Sequence, residues 1–545
     1  MEFLKLKNAQ EVADFFEIKI CHLNYMLYVM PPNKAYKEFN IKTKNKDRKI
    51  HSPNKRLKRI QHQLKTEFEK IYRPKASTFG FIKKKNTIKN AEKHLDKRYV
   101  FNLDLKDYFP SITRKRIYYL LRKDPFLFND EVAKIISKLI CFDNQLPQGS
   151  PCSPIVSNMI SYRMDGQLIK LAKKYNATYT RYVDDISFSF TNRFKALPKA
   201  IITHNDGELT IGNELNQIIE TNGFTINQNK VRLGKKSNRM EVTGITVNEK
   251  LNVPRKYIKK IRILFHLIDH YDYNKANEIF SKFKRSRASK YTPKIEFALH
   301  GMLTYLGAVI GKDAPLYYKY ATRFNTYKFD LKLPFEKPCE IKINDALWVI
   351  DFMDEESMEG GQGTAFSITP DLIATAAHVI LDSSNKPFKD IEVYKLSDTE
   401  KKFKLDVIKF DIESDIALCK ILTNYRDDSY IPISQLNINQ IKGNLKLLGF
   451  PSYQAPQLSA HISPCNLTFH SKRDNKDYFS INTSIIGGNS GGPIINSANE
   501  VVGIASKGYY GSGEITMDAL TKQVVTVTIT GNNFCSFVSN LRDLM

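Results

Sequence analysis

Cysteine is scarce and scattered: seven in 545 residues, none in a Cys-x-x-Cys pair. That excludes a disulfide scaffold and gives no thiolate zinc site. No apolar run reaches the length that spans a bilayer, and the first residues, MEFLKLKNAQEVADFF, carry acidic side chains and no signal-peptide core. The expectation is a reduced, cytoplasmic protein of bacterial type with no membrane partner. No repeat of solenoid period is present, which excludes a stacked array. Acidic residues are short in one part of the chain only. The first 338 residues hold 32 Asp and Glu against 65 Lys and Arg, a net of +33, whereas Cys339 onward holds 25 against 18, a net of −7. Two functional units are implied, and the first has the charge of a nucleic-acid binder.

The local patterns divide at the same place. LKRIQHQLKTEFEKIY from Leu57 has helical apolar spacing, YVFNLDLKDYF alternates like a strand entering a turn, and RKRIYYLLRKDPFLFNDEVAKIISKLICF reads as two helices broken near Pro125. SPIVSNMISYRMDGQLIKLAKKY reads as one long helix, TYTRYVDDISFSF as two short strands around Asp184 and Asp185, and Pro254 to about Asn325 as mainly helical. LKLPFEKPCEIKI, with Pro334 and Pro338, reads as a linker. Beyond it Gly, Ser and Thr rise and short strands replace helices, the pattern of an all-β sandwich or barrel.

Two stretches of the first unit carry carboxylates in a chemically useful setting: FNLDLKDYF with Asp104, and TRYVDDISF with Asp184 and Asp185. Phosphoryl transfer to a nucleotide uses two divalent cations about 3.5–4 Å apart clamped by carboxylates. One acid at a strand end and two at an adjacent hairpin turn would supply that clamp. A DD dipeptide alone is more often a solvated turn, but here β-branched and aromatic residues flank it.

Tyr182-Val183-Asp184-Asp185 resembles the YxDD box of reverse transcriptases. LDLKDYFPSI (Leu103–Ile112) resembles the family's first catalytic box, LPQGSPCSP (Leu146–Pro154) its nucleotide-pocket box, and INQNKVRL its segment with a phosphate-facing lysine, here Lys230. NAEKH (Asn90–His94), the VTG of EVTG (Val242, Thr243, Gly244) and TYLGAVIG (Thr304–Gly311) are similar to signatures of the retron group. The likeness covers about residues 20–325. It implies that Asp104, Asp184 and Asp185 bind two Mg²⁺ ions, and that Phe109 packs under the sugar and disfavours a ribose 2′-OH. Gln148 and Gly149 would line the dNTP site, and Arg48 and Lys49 would hold the triphosphate. Asn90, His94, Val242, Thr243 and Gly244 are the implied RNA-recognition residues. The bland reading of Asn90 and His94 is a capped helix with a satisfied core histidine. The implied partners are a structured non-coding RNA, serving as template and primer, and its branched RNA–DNA product.

In the second unit, GTAFSITPDLIATAAHVI ends in His378, SDIALCKI holds Asp415, and GGNSGGPII presents Ser490 between glycines. A serine hydroxyl needs a histidine base, and the base needs a carboxylate to fix its tautomer. The order His, Asp, Ser and its surroundings resemble chymotrypsin-like proteases over about 340–535. His378 is then the implied general base and Asp415 its orienting acid. Ser490 is the nucleophile, and the N–H groups of Gly488 and Ser490 form the oxyanion hole. Asn489, where secreted relatives carry Asp, cannot pair with a freed N-terminus, so no zymogen cleavage is expected. Ser484 is expected near the base of the S1 pocket, with Ala505, Ser506 and Lys507 along its wall.

The combined expectation is an α/β right-hand polymerase at 1–330, with fingers and palm to about 250 and a helical thumb over about 251–325. A linker follows at 331–342, then an all-β double-barrel chymotrypsin-like serine protease at 343–545 that acts on an unknown protein substrate. The function expected is a retron-type RNA-directed DNA polymerase with a protease effector in antiphage defence. The alternatives are a mobile-element reverse transcriptase whose protease domain is a self-processing or a peptide-binding module.

Overall fold

The computed structural model describes residues 2–42, 47–205, 208–284, 294–354, 359–423, 425, 428–441, 443–453, 459–473, 475–508 and 533–545. They form two compact units, Met1–Phe335 and Glu336–Met545.

The first unit opens with short helices and a basic hairpin of β1 (Tyr36–Lys42) and β2 (Asp47–Pro53). Asn54 caps the next helix, Lys55–Ile71, accepting from the Leu57 N–H at 3.0 Å. That helix buries Leu57, Ile60, Leu64 and Phe68, one apolar stripe at helical spacing. Two further Asn residues, Asn86 and Asn129, cap Thr87–Glu92 and Asp130–Ile140 in the same way.

The central sheet is antiparallel. It joins β3 (Tyr99–Asp104), β4 (Thr178–Tyr182), β5 (Asp185–Phe190) and, beyond the small hairpin β6 (Ile202–Asn205)/β7 (Glu208–Ile211), β8 (Arg232–Lys235), in the order β4-β5-β3-β8. Helices Ser153–Ile160 and Tyr162–Lys174 replace the single long helix expected. The break is at Ser161, whose ψ of −6° opens the turn and whose hydroxyl meets the Tyr108 hydroxyl at 2.9 Å. The two-residue strands β9 (Glu241–Val242) and β10 (Ile245–Thr246) form a hairpin. After it come four helices, Arg255–His270, Tyr273–Lys284, Ile295–Ile310 and Pro315–Thr326, packed around their own core.

The boundary between the two units falls inside the stretch 331–342. The Asn325 side chain donates to the Leu333 carbonyl and accepts from its N–H, both at 2.9 Å, and the Tyr317 hydroxyl donates to the Pro334 carbonyl. Leu333 is buried in the helical core. On the other side, Cys339–Ala346 is a helix that leads into the first strand of the second unit.

The second unit begins with a closed six-stranded barrel. Its strands are β11 (Leu347–Asp354), β12 (Glu359–Ser367), β13 (Ile373–Thr375), β14 (Ile391–Lys395), β15 (Asp398–Asp411) and β16 (Ile416–Ile421), joined as β11-β12-β13-β16-β15-β14. A seven-stranded antiparallel sheet follows: β17 (Leu445–Gly449), β18 (His461–Cys465), β19 (Leu467–Arg473), β20 (Lys476–Ile481), β21 (Pro493–Ile495), β22 (Val501–Gly508) and β23 (Asn533–Phe537), in the order β18-β17-β21-β22-β23-β20-β19. One apolar core runs through both halves. Helix Val538–Leu544 closes the chain.

Candidate functional site

In the first unit the register does the assembly. Asp104 ends β3 directly opposite Asp185, the first residue of β5, and Tyr182 faces Asp185 from β4. Val183, in the left-handed region at φ 62°, and Asp184 make the turn between β4 and β5. The Asp184 carbonyl accepts from the Leu105 N–H at 3.0 Å, which ties the turn to the end of β3. Three carboxylates thus converge at one end of the two central strands. Burial first, then the charges of Asp184 and Asp104, pushes the Asp185 carboxyl up to about 7; Lys230 offsets only part of this. Asp184 is raised too, first by burial and then by Asp104. Lys230 lies 2.8 Å from Asp104 Oδ2 and provides the local positive charge.

These groups line a cleft of about 2000 Å³ together with Arg48, Lys49, Phe109, Gln148, Gly149 and Phe81. All nine residues read as metal- or nucleotide-binding therefore share one cavity. The Gln148 carbonyl accepts from the His51 N–H at 2.8 Å, so LPQGSP is pinned to β2. Gly149 is required there: at φ +113°, a Cβ would stand 2.8 Å from Ile50 Cγ2 and 2.9 Å from the His51 carbonyl oxygen. The Lys49 amine is already paired with Glu38 at 2.8 Å, whereas Arg48 is exposed and acts electrostatically on Asp184.

Hard carboxylate oxygens crowded enough to hold a proton near neutrality are a donor set suited to Mg²⁺. They are not a finished cage. Among the described residues, no group of three His, Cys, Asp or Glu is arranged to hold a metal ion as it stands. Lys230 occupies one oxygen of Asp104.

The turn has a support that its sequence does not advertise. Arg181 and Asp165 form a fully buried ion pair, Nε to Oδ1 at 2.7 Å and Nη2 to Oδ2 at 2.8 Å. Arg181 Nη1 also donates to the Val183 carbonyl at 2.8 Å and the Tyr108 hydroxyl at 3.1 Å, and Nη2 to Asn158 Oδ1 at 3.1 Å. One guanidinium joins the carboxylate turn, the neighbour of Phe109 and the helix after the Gln148 loop.

The residues read as RNA contacts are placed differently. His94 is 0% exposed and Asn90 1%. His94 is held between the hydroxyls of Ser189, at 2.8 Å from Nδ1, and Thr180, at 2.7 Å from Nε2. Val242 is buried in the core of the helical segment. Enclosed side chains offer no surface to a nucleic acid, so packing is the role the structure gives Asn90, His94 and Val242. Thr243, half-buried, donates to the Thr87 carbonyl at 3.3 Å, and Gly244 is exposed.

Burial holds the His94 imidazole at a pKa of about 3, far below its ordinary 6.5. Because the folded value lies below the unfolded one, this stability is complete above 6.5 and is lost as pH falls toward 3. At about pH 5 the loss is about 2 kcal/mol. Urea midpoints at about pH 7 and about pH 5 should show it. His94→Gln should begin less stable but lose less over that interval, and an equal loss would acquit His94.

In the second unit, His378 follows β13 on a short turn and Asp415 opens β16 with φ 53°. Asp415 Oδ2 meets His378 Nδ1 at 2.7 Å, and Oδ1 accepts the His378 backbone N–H at 2.9 Å. The Ser506 hydroxyl donates to the same Oδ2. Burial alone would raise the Asp415 carboxyl, but the His378 hydrogen bond and charge, with the Ser506 hydroxyl, hold it below the ordinary carboxylate value. The Ser490 hydroxyl donates to the Ser506 carbonyl at 3.2 Å.

Gly488, at φ +92°, lies so close to Phe450 that a Cβ would stand 2.2 Å from its carbonyl oxygen. Among the described residues, neither the Gly488 nor the Ser490 N–H has a backbone acceptor. Thr364, on β12, secures this turn. Its hydroxyl donates to the Gly488 carbonyl at 2.6 Å, and its N–H donates to the Ser490 carbonyl at 2.9 Å. Ser484 is exposed, and the neighbouring Ile485 takes the buried position, its N–H donating to Asn533 Oδ1. Ala505 and Ser506 are buried; the Lys507 side chain and residues 509–532 lie outside the described residues.

The geometry therefore contains a three-carboxylate cleft in the first unit and, in an all-β second unit, a His378–Asp415 pair with the Ser490 hydroxyl directed to the Ser506 carbonyl. Residues 37–247 match the reverse transcriptase (RNA-dependent DNA polymerase) family model, and residues 363–504 match the trypsin-like peptidase domain. The chain is similar to the retron Mx162 reverse transcriptase of Myxococcus xanthus, 28% identical over 287 residues, 48% of this chain and 59% of that one. It is similar to the retron Ec86 reverse transcriptase of Escherichia coli, 25% identical over 278 residues, 50% of this chain and 81% of that one. The retron Ec73 reverse transcriptase of Escherichia coli is 35% identical over 175 residues, 30% of this chain and 55% of that one. The chain thus spans little more than half the length of two of these three relatives. A solved structure, the active form of the Rv3671c protease of M. tuberculosis, aligns with 39% of this chain and 92% of its own at 15% identity and a TM-score of 0.30. Among the described residues, no helix is long and apolar enough to cross a membrane.

Proposed function

We propose that the first unit is a retron-type RNA-directed DNA polymerase and the second a serine endopeptidase that acts as its effector. The observation that carries the first half is the convergence of Asp104, Asp184 and Asp185 with Arg48, Phe109, Gln148 and Gly149 around one cleft. Asp104, Asp184 and Asp185 would hold two Mg²⁺ ions, which when bound polarise the phosphoryl oxygens and stabilise the entering and leaving oxygens. The chain's own side chains do the rest. Arg48 faces the triphosphate charge, Phe109 sets the sugar, and the Gln148–Gly149 backbone shapes the pocket. Lys230 can pass from Asp104 to a phosphate once the carboxylates are neutralised.

In the second unit, His378 takes the Ser490 proton, Asp415 holds the imidazole with Nδ1 protonated, and the N–H groups of Gly488 and Ser490 stabilise the oxyanion. The template and primer are a dedicated structured RNA, and the product is a branched RNA–DNA hybrid. In defence against phage, that product restrains the peptidase until infection disturbs it. All seven cysteines are free thiols, which suits a reducing cytoplasm.

The test is to purify the protein expressed with its flanking DNA and to treat the co-purifying nucleic acid with RNase, DNase and a debranching enzyme. Short single-stranded DNA joined to RNA, absent from Asp184→Asn/Asp185→Asn, is expected. Primer extension without such a product would leave a reverse transcriptase of another kind.

A further inference from the structure

Phe81 departs from two habits of a large apolar side chain. It is 50% exposed, and its backbone lies in the left-handed region at φ 59°. A bulky residue there is a steric outlier that glycine would relieve. Such outliers persist where the surroundings over-determine them, and they gather at ligand sites.

The surroundings do over-determine it. The Lys85 amine donates to the Ala76 and Thr78 carbonyls at 2.8 Å and to that of Lys75 at 3.3 Å, closing the loop that leads to Phe81. The Phe79 N–H donates to the Arg181 carbonyl at 2.9 Å. Asn158 Nδ2 donates to the Gly80 carbonyl at 2.9 Å. Gly80 presses so closely on the carboxylate turn that a Cβ would stand 2.5 Å from the Val183 nitrogen. The residues before Phe81 are thus tied to the backbone of the Val183–Asp184 turn. The ring itself lines the cleft, 6.3 Å from the ring of Phe109 and inclined to it by 51°. Asp104, Asp184 and Asp185 line the same cavity.

We propose that Phe81 is a second aromatic wall of the nucleotide site, packing with Phe109 against the nucleoside of the base pair being formed. This rests on the polymerase reading above. The cleft supplies cations for phosphate in Arg48 and Lys230. A nucleoside also presents apolar sugar carbons and a π face, and these need an apolar partner. Phe109 is half-buried against Tyr108, at 5.4 Å between rings, so its exposed surface is limited. Phe81 extends that surface within the same cavity.

Glycine at this position separates a binding role from a structural one. In steady-state extension of an oligo(dT) primer on poly(rA), Phe81→Gly is expected to raise the KM for dTTP about tenfold. It should leave the duplex Kd within about twofold and melt at or above the parental temperature, because glycine accepts the positive φ without strain. Phe81→Tyr keeps the ring and should stay within about twofold of the parent in KM. Unchanged KM in Phe81→Gly, a lowered melting temperature, or an effect confined to the duplex Kd would each overturn the proposal. Absence both of extension by the unsubstituted chain and of DNA joined to its co-purifying RNA would overturn the polymerase reading itself, and this one with it.

Discussion

The Asp185→Asn protein is expected to make no DNA and yet to melt at a higher temperature than the parent when both are stripped of divalent cations. The reason is the crowding of Asp104, Asp184 and Asp185 at one end of the two central strands. The Asp185 carboxyl is pushed up to about 7, first by burial and then by its two acidic neighbours. Its ordinary value is 3.8. Since the folded value exceeds the unfolded one, the folded state binds the extra proton between those limits. The associated stability is therefore present in acid and lost as pH rises through about 7. Above that, the folded protein holds a charge that its surroundings disfavour, and asparagine removes it. Asp185 borders a solvent-filled cleft, so screening trims the gain, and a rise of about 2–4 °C is the scale expected.

Excess Mg²⁺ should reverse the order, because a ligand that binds only the folded parent stabilises it by mass action. Polymerisation should fall at least about a thousandfold, given that metal-borne charge stabilisation is worth several kcal/mol of the barrier. Melting curves at about pH 8, with chelator and with Mg²⁺, test the linkage beside primer extension. A metal-free variant that melts below the parent, or an order that does not reverse, would show that the three acids are not a cation seat.

The meeting of Asp104, Asp184 and Asp185 in one cleft and the pairing of His378 with Asp415 were legible because each group belongs to a local motif. An acid at a strand end or in a hairpin turn, a histidine after TAA and a serine between glycines each show their geometry within a few residues. What was not legible depends on partners far away in the chain. Arg181 reads as one more basic residue in TYTRYVDD, yet it is fully buried against Asp165 and holds the Val183 carbonyl. An arginine inside a strand of otherwise apolar and hydroxyl residues was the available signal. Thr364 reads as an ordinary strand residue, but it reaches 124 positions along the chain to the Gly488 carbonyl. Ser506 was expected only as pocket wall, and its hydroxyl donates to the Asp415 carboxylate. Ser484 was set by counting back from Ser490, and counting cannot foresee that Ile485 takes the buried place. His94 and Asn90 were signatures without chemistry. The partners of His94 are two strand hydroxyls, which only the folded sheet brings together.

Ser490→Ala is expected to lower peptide hydrolysis by about a millionfold and Asp415→Asn by about ten-thousandfold, with DNA synthesis by the same chain unchanged in both. The second figure follows from how Asp415 is held. Its Oδ1 accepts the His378 backbone N–H and its Oδ2 faces His378 Nδ1. In an asparagine, the amide oxygen must take the first position, because an NH₂ there would oppose an N–H. The NH₂ then faces Nδ1 and donates to it. The imidazole is forced to carry its proton on Nε2, where it can no longer accept one from Ser490. The geometry survives while the base is disabled. Labelling by a fluorophosphonate separates the cases. The parent should label at Ser490, Ser490→Ala not at all, and Asp415→Asn far more slowly than the parent. Labelling of Asp415→Asn at the parental rate would mean that Asp415 only supports the fold and that another group activates the serine. A parent that does not label, although folded, would make the second unit a binding module. Its Ser490 hydroxyl would then remain where the structure has it, on the Ser506 carbonyl.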